Sequence, residues 1–180
     1  MKPALLVYAS ADGHTRRIAE RIAQRMTAAG CPVEQFAADA LEDIDPEDYS
    51  GVISGSPVRY GKHDRRIVAF IESNAAEIEA RPNAFFSVNL VARTPEKRTA
   101  QGNSHVRKFL ESLRYKPEHV EVIAGRLDYP SYGWLDRFAI RMIMKMTGGP
   151  TQGNEVIEYT DWDQVDRFAD TMAERVRSAA

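Results

Sequence analysis

The 180-residue chain has one cysteine, Cys31. A lone cysteine excludes an internal disulfide framework and a cysteine-rich zinc site, and it suits a reducing compartment. Histidine is nearly as scarce, at positions 14, 63, 105 and 119, with no HExxH run and no pair spaced i,i+4. No metal centre is therefore expected. Long apolar runs are missing too: none approaches the roughly 20 residues that cross a bilayer. The stretch from Ala4 to Ala9 is too short for the apolar part of a secretion signal, and Asp12, Arg16 and Arg17 follow at once. A cytoplasmic chain is the expectation. No internal repeat, low-complexity tract or linker interrupts the sequence. With 43% apolar and 28% charged residues, the composition excludes a disordered tail or a fibre. The length is about that of one domain, enough to bury a core, and we read residues 1–180 as a single domain.

The net charge of −2 hides an asymmetry. Between Arg93 and Lys145 there are 11 Lys and Arg against 6 Asp and Glu, a balance of +5, leaving −7 for the remainder. This points to a face that meets something anionic, either a ligand or a membrane surface. Nucleic acid is not expected, because no base-reading motif accompanies the cations.

Apolar runs and amphipathic runs alternate. Ala4 to Ala9, Val33 to Ala38, Gly51 to Ser56, Asn83 to Ala92 and Glu121 to Gly125 read as strands, mostly buried on both faces. Thr15 to Ala29, His63 to Ile78, Ser104 to Leu113, Tyr132 to Met146 and a final segment opened by a Thr160-x-x-Asp163 capping box read as helices. Such alternation predicts an α/β fold: a doubly wound, five-stranded parallel sheet in the flavodoxin-like order 2-1-3-4-5, with right-handed crossovers. Insertions of helical, basic character are expected at about 93–118 and 127–150, around strand five.

In such a sheet, ligands sit outside the carboxyl ends of the strands, at the switch point between strands one and three. The loop Ser10, Ala11, Asp12, Gly13, His14, Thr15 lies there and runs into a helix, whose free N–H groups and positive dipole end favour a phosphate. Gly13 permits close backbone approach, and Ser10 and Thr15 add hydroxyls. The loop has neither the GxxxxGK[ST] nor the GxGxxG pattern. Its S-x-D-G-x-T run resembles the FMN phosphate loop of flavodoxins, with Asp12 where a threonine is usual. A carboxylate there repels a phosphate unless it turns away to cap the helix. Two further strand ends flank the same crevice: Ser56, Arg59, Tyr60 and Gly61 after strand three, and Phe85, Phe86, Ser87, Val88, Asn89 and Leu90 on strand four. Tyr60 is a candidate to stack on a flavin, and Arg59 to hold an anionic reduced flavin or a substrate carboxylate.

Longer motifs carry a closer resemblance. Ser87 to Thr99 (SVNLVARTPEKRT), Arg107 to Leu110 (RKFL), Val122 to Gly125 (VIAG), Leu127 to Phe138 (LDYPSYGWLDRF), Ile143 to Gly149 (IMKMTGG) and Tyr159 to Trp162 (YTDW) resemble the flavodoxin-like, menaquinone-dependent protoporphyrinogen IX dehydrogenases of bacteria. The likeness covers nearly the whole chain, and the family shares the D-G-x-T form of the loop. It implies an FMN enzyme of haem biosynthesis. That enzyme would take six electrons from protoporphyrinogen IX and pass them to menaquinone or ubiquinone, and flavin would do the redox chemistry without a protein acid–base pair. For this apolar macrocycle with two propionates, Arg93, Lys97 and Arg98 are the candidate partners. An electron-carrying flavodoxin and an NAD(P)H:quinone reductase are the alternatives. The carrier fits less well, because its flavin rim is usually acidic.

From Trp134 to Met146, residues Leu135, Phe138, Ala139, Met142, Ile143 and Met146 form an apolar stripe, beside a basic one of Arg137, Arg141 and Lys145. This is the pattern of a helix lying in a membrane interface, which would hold the chain peripherally at the inner face of the cell membrane. Packing on its own sheet, or on a second subunit in a homo-oligomer, is the competing use of that stripe.

Overall fold

A computed structural model of the chain describes residues 2–128, 134–146, 148–149 and 156–179. Five parallel strands form the main sheet: β1 (Ala4–Tyr8), β2 (Val33–Ala37), β3 (Val52–Arg59), β5 (Asn83–Asn89) and β6 (His119–Ala124), in the order β2-β1-β3-β5-β6. A two-residue strand, β4 (Lys62–His63), folds back on the end of β3 as a hairpin. With β4 set aside, the order is the expected 2-1-3-4-5.

The two faces of the sheet follow from alternation along each strand. Ala4 and Leu6 of β1 point to one side, together with Ile53, Phe86 and Ile123. The helices α1 (His14–Ala28) and α6 (Trp162–Ser178) cover that side with Ile18, Ile22 and Met26 and with Val165, Phe168, Met172 and Val176. Leu5 and Val7 point the other way, with Val52 and Phe85. There they meet α2 (Arg65–Ser73), α3 (Ala75–Glu79) and α4 (Ser104–Ser112) through Ile67, Phe70, Ile71, Ile78 and Phe109. Bidentate pairs of Arg21 with Asp166 and Arg25 with Asp170, at 2.6–2.8 Å, tie α1 to α6 along their exposed rims.

Several elements differ from the sequence expectation, each for a local reason. The helix expected from His63 to Ile78 starts later, because His63 pairs with Val58 in the hairpin and Asp64 caps α2 by accepting the Arg66 amide at 2.9 Å. It breaks at Asn74, whose side-chain amide donates to Phe70 O at 2.8 Å. The strand expected to reach Ala92 stops at Asn89, where the Asn89 side chain accepts the Ala92 amide at 3.0 Å and starts a 3₁₀ turn over Leu90–Arg93. The final helix is capped by Asp161 rather than Thr160: Asp161 Oδ1 accepts the Gln164 amide at 3.1 Å. The Thr160 hydroxyl is used elsewhere.

Helix α4 is the crossover between β5 and β6. After β6 the chain leaves the sheet in an antiparallel ribbon of β7 (Arg126–Asp128) and β8 (Val156–Glu158), with α5 (Trp134–Met146) between them. Met144 of α5 is buried with Leu127, and Ile140, Leu90, Ile157 and Tyr159 pack around them. Phe138, Met142 and Met146 are 70%, 53% and 80% exposed. The expected helix start at Tyr132 and the side chains of Leu135, Ala139 and Ile143 lie outside the described residues. No described helix is long and apolar enough to cross a membrane.

At the centre of the sheet, Gly55 pairs with Tyr8 on one side and Phe86 on the other. A Cβ on Gly55 would sit 2.0 Å from the Phe86 ring. The missing side chain is what lets this fully buried ring lie across the strand. Gly55→Ala is expected to lower stability by about 1–3 kcal/mol through overpacking, read from the urea midpoint. An unchanged midpoint would show that Phe86 has room to move.

Candidate functional site

Parallel register puts the carboxyl ends of β1, β3 and β5 on one edge: Tyr8 lies opposite Gly55, Gly55 opposite Phe86, and Pro57 opposite Val88. The loops that follow are therefore neighbours. Ala11, Asp12 and Gly13 are exposed at this edge. Gly13 has φ 84° with open space where a Cβ would be, so backbone conformation rather than crowding requires the glycine. The turn draws amides inward. Ser10 Oγ accepts from Gly13 N at 3.1 Å and from Arg16 N at 3.3 Å, and Asp12 Oδ1 accepts from His14 N at 3.1 Å. Gly13 is the N-cap residue of α1, and Asp12 holds the first helical amide from just outside the helix. No acidic residue stands in the first turn of that helix, so its positive end is not neutralised from within. The amides of Gly13, His14 and Arg16 thus converge on two side-chain oxygens at this rim, and a phosphate monoester could take over as their acceptor with the Ser10 hydroxyl turned to donate.

His14 turns away from this rim and is 4% exposed. Its Nε2 lies 2.7 Å from Thr160 Oγ1, and that hydroxyl donates to Ala124 O at 2.7 Å. Since the threonine proton goes to the carbonyl, His14 Nε2–H is the donor to the threonine oxygen. Nδ1 is left as a buried acceptor with no partner among the described residues. Burial lowers the His14 pKa, against the opposing pull of Glu158 and Asp12. The histidine therefore ties the Ser10–Thr15 loop to the point where the chain returns from the β7–β8 excursion. Thr15, also buried, faces the core side of α1.

The second loop is the β3–β4 hairpin. Tyr60 and Gly61 form its two-residue turn, with φ 50° and 76°. Tyr60 is 74% exposed. An exposed aromatic in the left-handed region stores strain of about 1–3 kcal/mol at the rim. Arg59 is exposed beside it. Ser56 is buried: its Oγ donates to Pro57 O at 3.0 Å and accepts Asp64 N at 2.8 Å, pinning the base of the hairpin.

The third loop begins at Asn89. Phe85 and Phe86 fill opposite faces of the core, Phe85 against the rings of His63 and Phe109 and Phe86 near Phe168. Val88 is buried with the α1 side of the core, while Leu90 packs beneath α5. Ser87 and Asn89 instead join a buried polar chain. His63 Nε2 lies 2.9 Å from Ser87 Oγ, and Asn89 Nδ2 donates to the same oxygen at 3.2 Å. Of the expected cations, Arg93 Nη1 donates to Leu90 O at 3.2 Å and Lys97 is exposed. Arg98 Nε donates to Ala92 O at 3.1 Å. Arg98 also lines a cleft of about 380 Å³ beside edge strand β6, with His119, Glu121, Gln164 and Arg167.

Sequence reasoning singled out neither His63 nor Asn103 nor the role of Thr160. An asparagine just before a helical run is a cap signal, so Asn103 was detectable. The other two depend on contacts between distant strands. Among the described residues no group of three or more His, Cys, Asp and Glu is placed to hold a metal ion.

The flavodoxin domain family matches residues 5–154. Protoporphyrinogen IX dehydrogenase (quinone) of Escherichia coli K12 is 42% identical over 169 residues, covering 94% of this chain and 93% of that one. The protein of the same name from Leishmania major is 40% identical over 172 residues, covering 94% of this chain and 74% of its own. Among solved structures, a short-chain flavodoxin associated with a PDU bacterial microcompartment aligns over both full chains with a TM-score of 0.57 at 12% identity, a likeness of fold.

Burial pushes the His63 pKa down to about 4, with His105 adding to the effect. The unfolded state binds the proton more tightly, so this contribution to stability is full above pH ~6.5 and is lost as pH falls towards 4. The loss should reach about 3 kcal/mol, and His63→Phe should flatten that part of the profile. Urea midpoints between pH 7 and 4 measure it. A wild-type profile no steeper than that of His63→Phe would show that His63 does not titrate as a buried group.

Proposed function

Because the chain belongs to the flavodoxin domain family, among relatives named protoporphyrinogen IX dehydrogenase (quinone), we propose that it oxidises protoporphyrinogen IX to protoporphyrin IX and delivers the electrons to a quinone. The chain is an FMN oxidoreductase. Six electrons and six protons leave the macrocycle, and three quinones become three quinols. FMN supplies the two-electron chemistry, three times per porphyrin. The observation that carries this reading is the turn at Gly13, where the first amides of α1 converge at the edge shared by three parallel strands.

The protein's own residues bind and orient. The Ser10–Thr15 loop would hold the phosphate through its backbone amides and the Ser10 hydroxyl, with the His14 and Thr15 side chains buried behind it. Tyr60 and Arg59 on the hairpin, with Ser56 and Gly61 shaping it, would border the flavin ring, and Ser87 to Leu90 at the end of β5 would back that border from the core side. Arg93, Lys97 and Arg98 receive the substrate propionates, where guanidinium and ammonium groups meet carboxylates. We read the chain as one flavodoxin-like unit carrying insertions.

We place the insertion helix α5 at a membrane surface, which is where a lipid-soluble quinone is found. Phe138, Met142 and Met146 recur every four residues on an exposed stripe, with Arg141 and Lys145 exposed alongside, while Met144 faces inward. An apolar ridge flanked by cations complements an anionic bilayer.

Anaerobic protein loaded with FMN should turn protoporphyrinogen IX fluorescent at a rate set by added menaquinone analogue and indifferent to NADPH. Lys97→Glu with Arg98→Glu should raise the KM for the porphyrinogen about tenfold and leave FMN affinity within twofold. No fluorescence with quinone would sink the activity, and an unchanged KM would sink the propionate assignment. For the membrane, equimolar phosphatidylglycerol and phosphatidylcholine vesicles should float the protein at low salt better than phosphatidylcholine alone. Phe138→Ser with Met142→Ser should weaken that binding at least tenfold. Equal flotation of wild type and variant would remove α5 from the interface.

A further inference from the structure

Asn103 is the N-cap of α4 and is completely buried. Its Oδ1 accepts the amides of His105 at 3.2 Å and Val106 at 3.3 Å, which is ordinary capping. Its Nδ2 does something capping does not need. It donates to Asn89 Oδ1 at 3.0 Å and to Lys97 O at 3.0 Å. All four hydrogen-bonding positions of the side-chain amide are used. A flipped amide would set donors against donors and acceptors against acceptors, so the orientation is fixed by its partners.

The choice of residue is informative. Asp, Ser and Thr cap a helix about as well as Asn, but none of them carries the extra pair of donors. Those donors grip two ends of one segment. Asn89 Oδ1 also accepts Ala92 N at 3.0 Å, so it fixes the start of the Leu90–Arg93 turn. Lys97 O is the last carbonyl of the following turn, Pro95–Lys97. Behind the bridge the loop closes tightly: Asn103 N donates to Thr99 O at 3.0 Å, and a Cβ on Gly102 would collide with Glu96 O. Asn89 is anchored in turn to Ser87 and His63, and its own carbonyl accepts Gly125 N at 3.1 Å.

We infer that Asn103 is a positioning residue for the porphyrinogen: through Asn89 and Lys97 O it holds the basic segment Arg93–Arg98 at the end of β5. This rests on the reading that the segment receives the propionates. The cations sit on a strip of short 3₁₀ turns, whose backbone conformation is weakly self-sustaining. An external clamp at both ends sets where the charges stand relative to the flavin crevice. Removing the clamp frees the strip while leaving the phosphate loop on β1 untouched.

Asn103→Ser keeps an N-cap oxygen and removes both donors. Asn103→Thr keeps a cap hydroxyl, removes the same two amide donors, and carries the measurement should the serine variant not fold. With folding verified by circular dichroism, either variant should bind FMN within twofold of wild type. The KM for protoporphyrinogen IX should rise about tenfold at a kcat within twofold. A purely structural cap predicts no such split. An unchanged KM in a folded, FMN-binding variant overturns the inference, as does a KM rise matched by an equal loss of FMN affinity. If Lys97→Glu with Arg98→Glu raises KM and the Asn103 variants do not, the inference alone fails. If the charge-reversed protein keeps its KM, the propionate reading beneath it fails.

Discussion

The site depends on the register of three parallel strands. β1, β3 and β5 run in step, so that Tyr8, Gly55 and Phe86 lie abreast across the middle of the sheet. Everything beyond that row faces the same edge: the Gly13 turn, the Tyr60–Gly61 hairpin and the Asn89 turn. A slip of one residue would turn every side chain of the slipped strand to the opposite face and destroy both cores at once. The two apolar layers, one built with α1 and α6 and the other with α2, α3 and α4, therefore hold the loops in place without touching a ligand. Gly55 is where this constraint is tightest, because the Phe86 ring fills the space of the side chain it lacks.

Beyond the apolar layers, the carboxyl edge is organised by buried polar groups. Ser56, Ser87, Asn89, Asn103, His14 and His63 are each less than 9% exposed. Buried polar groups are destabilising unless bonded, so each ties its neighbours to a narrow geometry. Two chains of bonds result. One runs from His63 through Ser87 and Asn89 to Asn103, joining the hairpin to α4. The other runs from His14 through Thr160 to Ala124, joining the Ser10–Thr15 loop to the end of β6. Between them they fix both sides of the excursion that carries α5. The Gly125 amide, at the start of the excursion, donates to Asn89 O, and the Tyr159 amide, at its return, donates to Gly125 O.

What was legible in the sequence follows from the range of the forces involved. Strand and helix alternation, the sheet order and the turn at Gly13 are written in local patterns: the apolar run at Ala4, the stripe Ile18, Ile22, Met26, the glycine at 13. The misplaced boundaries share one cause. At His63, Asn74, Asn89 and Thr160 a polar side chain bonds backbone or a partner in another element, and periodicity cannot register that. His63 has the spacing of a helical residue, yet it sits in a hairpin because Ser87, 24 positions away, is its partner. The long family motifs read the chemistry from the sequence where geometry alone would have stopped at a flavodoxin-like sheet.

The electrostatic layout and the reaction fit each other through solubility. The porphyrinogen is a greasy ring with two carboxylates at one edge, and the quinone is confined to lipid by its tail. An enzyme that turns over both must offer cations to the first and an apolar surface towards the second, close to one flavin. The stretch from Arg93 to Lys145 holds a surplus of five positive charges in a chain that is otherwise acidic. It also holds Phe138 and Met142, which a chain with no apolar partner would have reason to bury. Cations on a protein surface are drawn to an anionic bilayer within a Debye length of about 10 Å. They also attract a dicarboxylate arriving from either phase. On the proposed reading, the same charges would serve recruitment and recognition, and the acidic remainder of the chain would turn that face towards an anionic membrane.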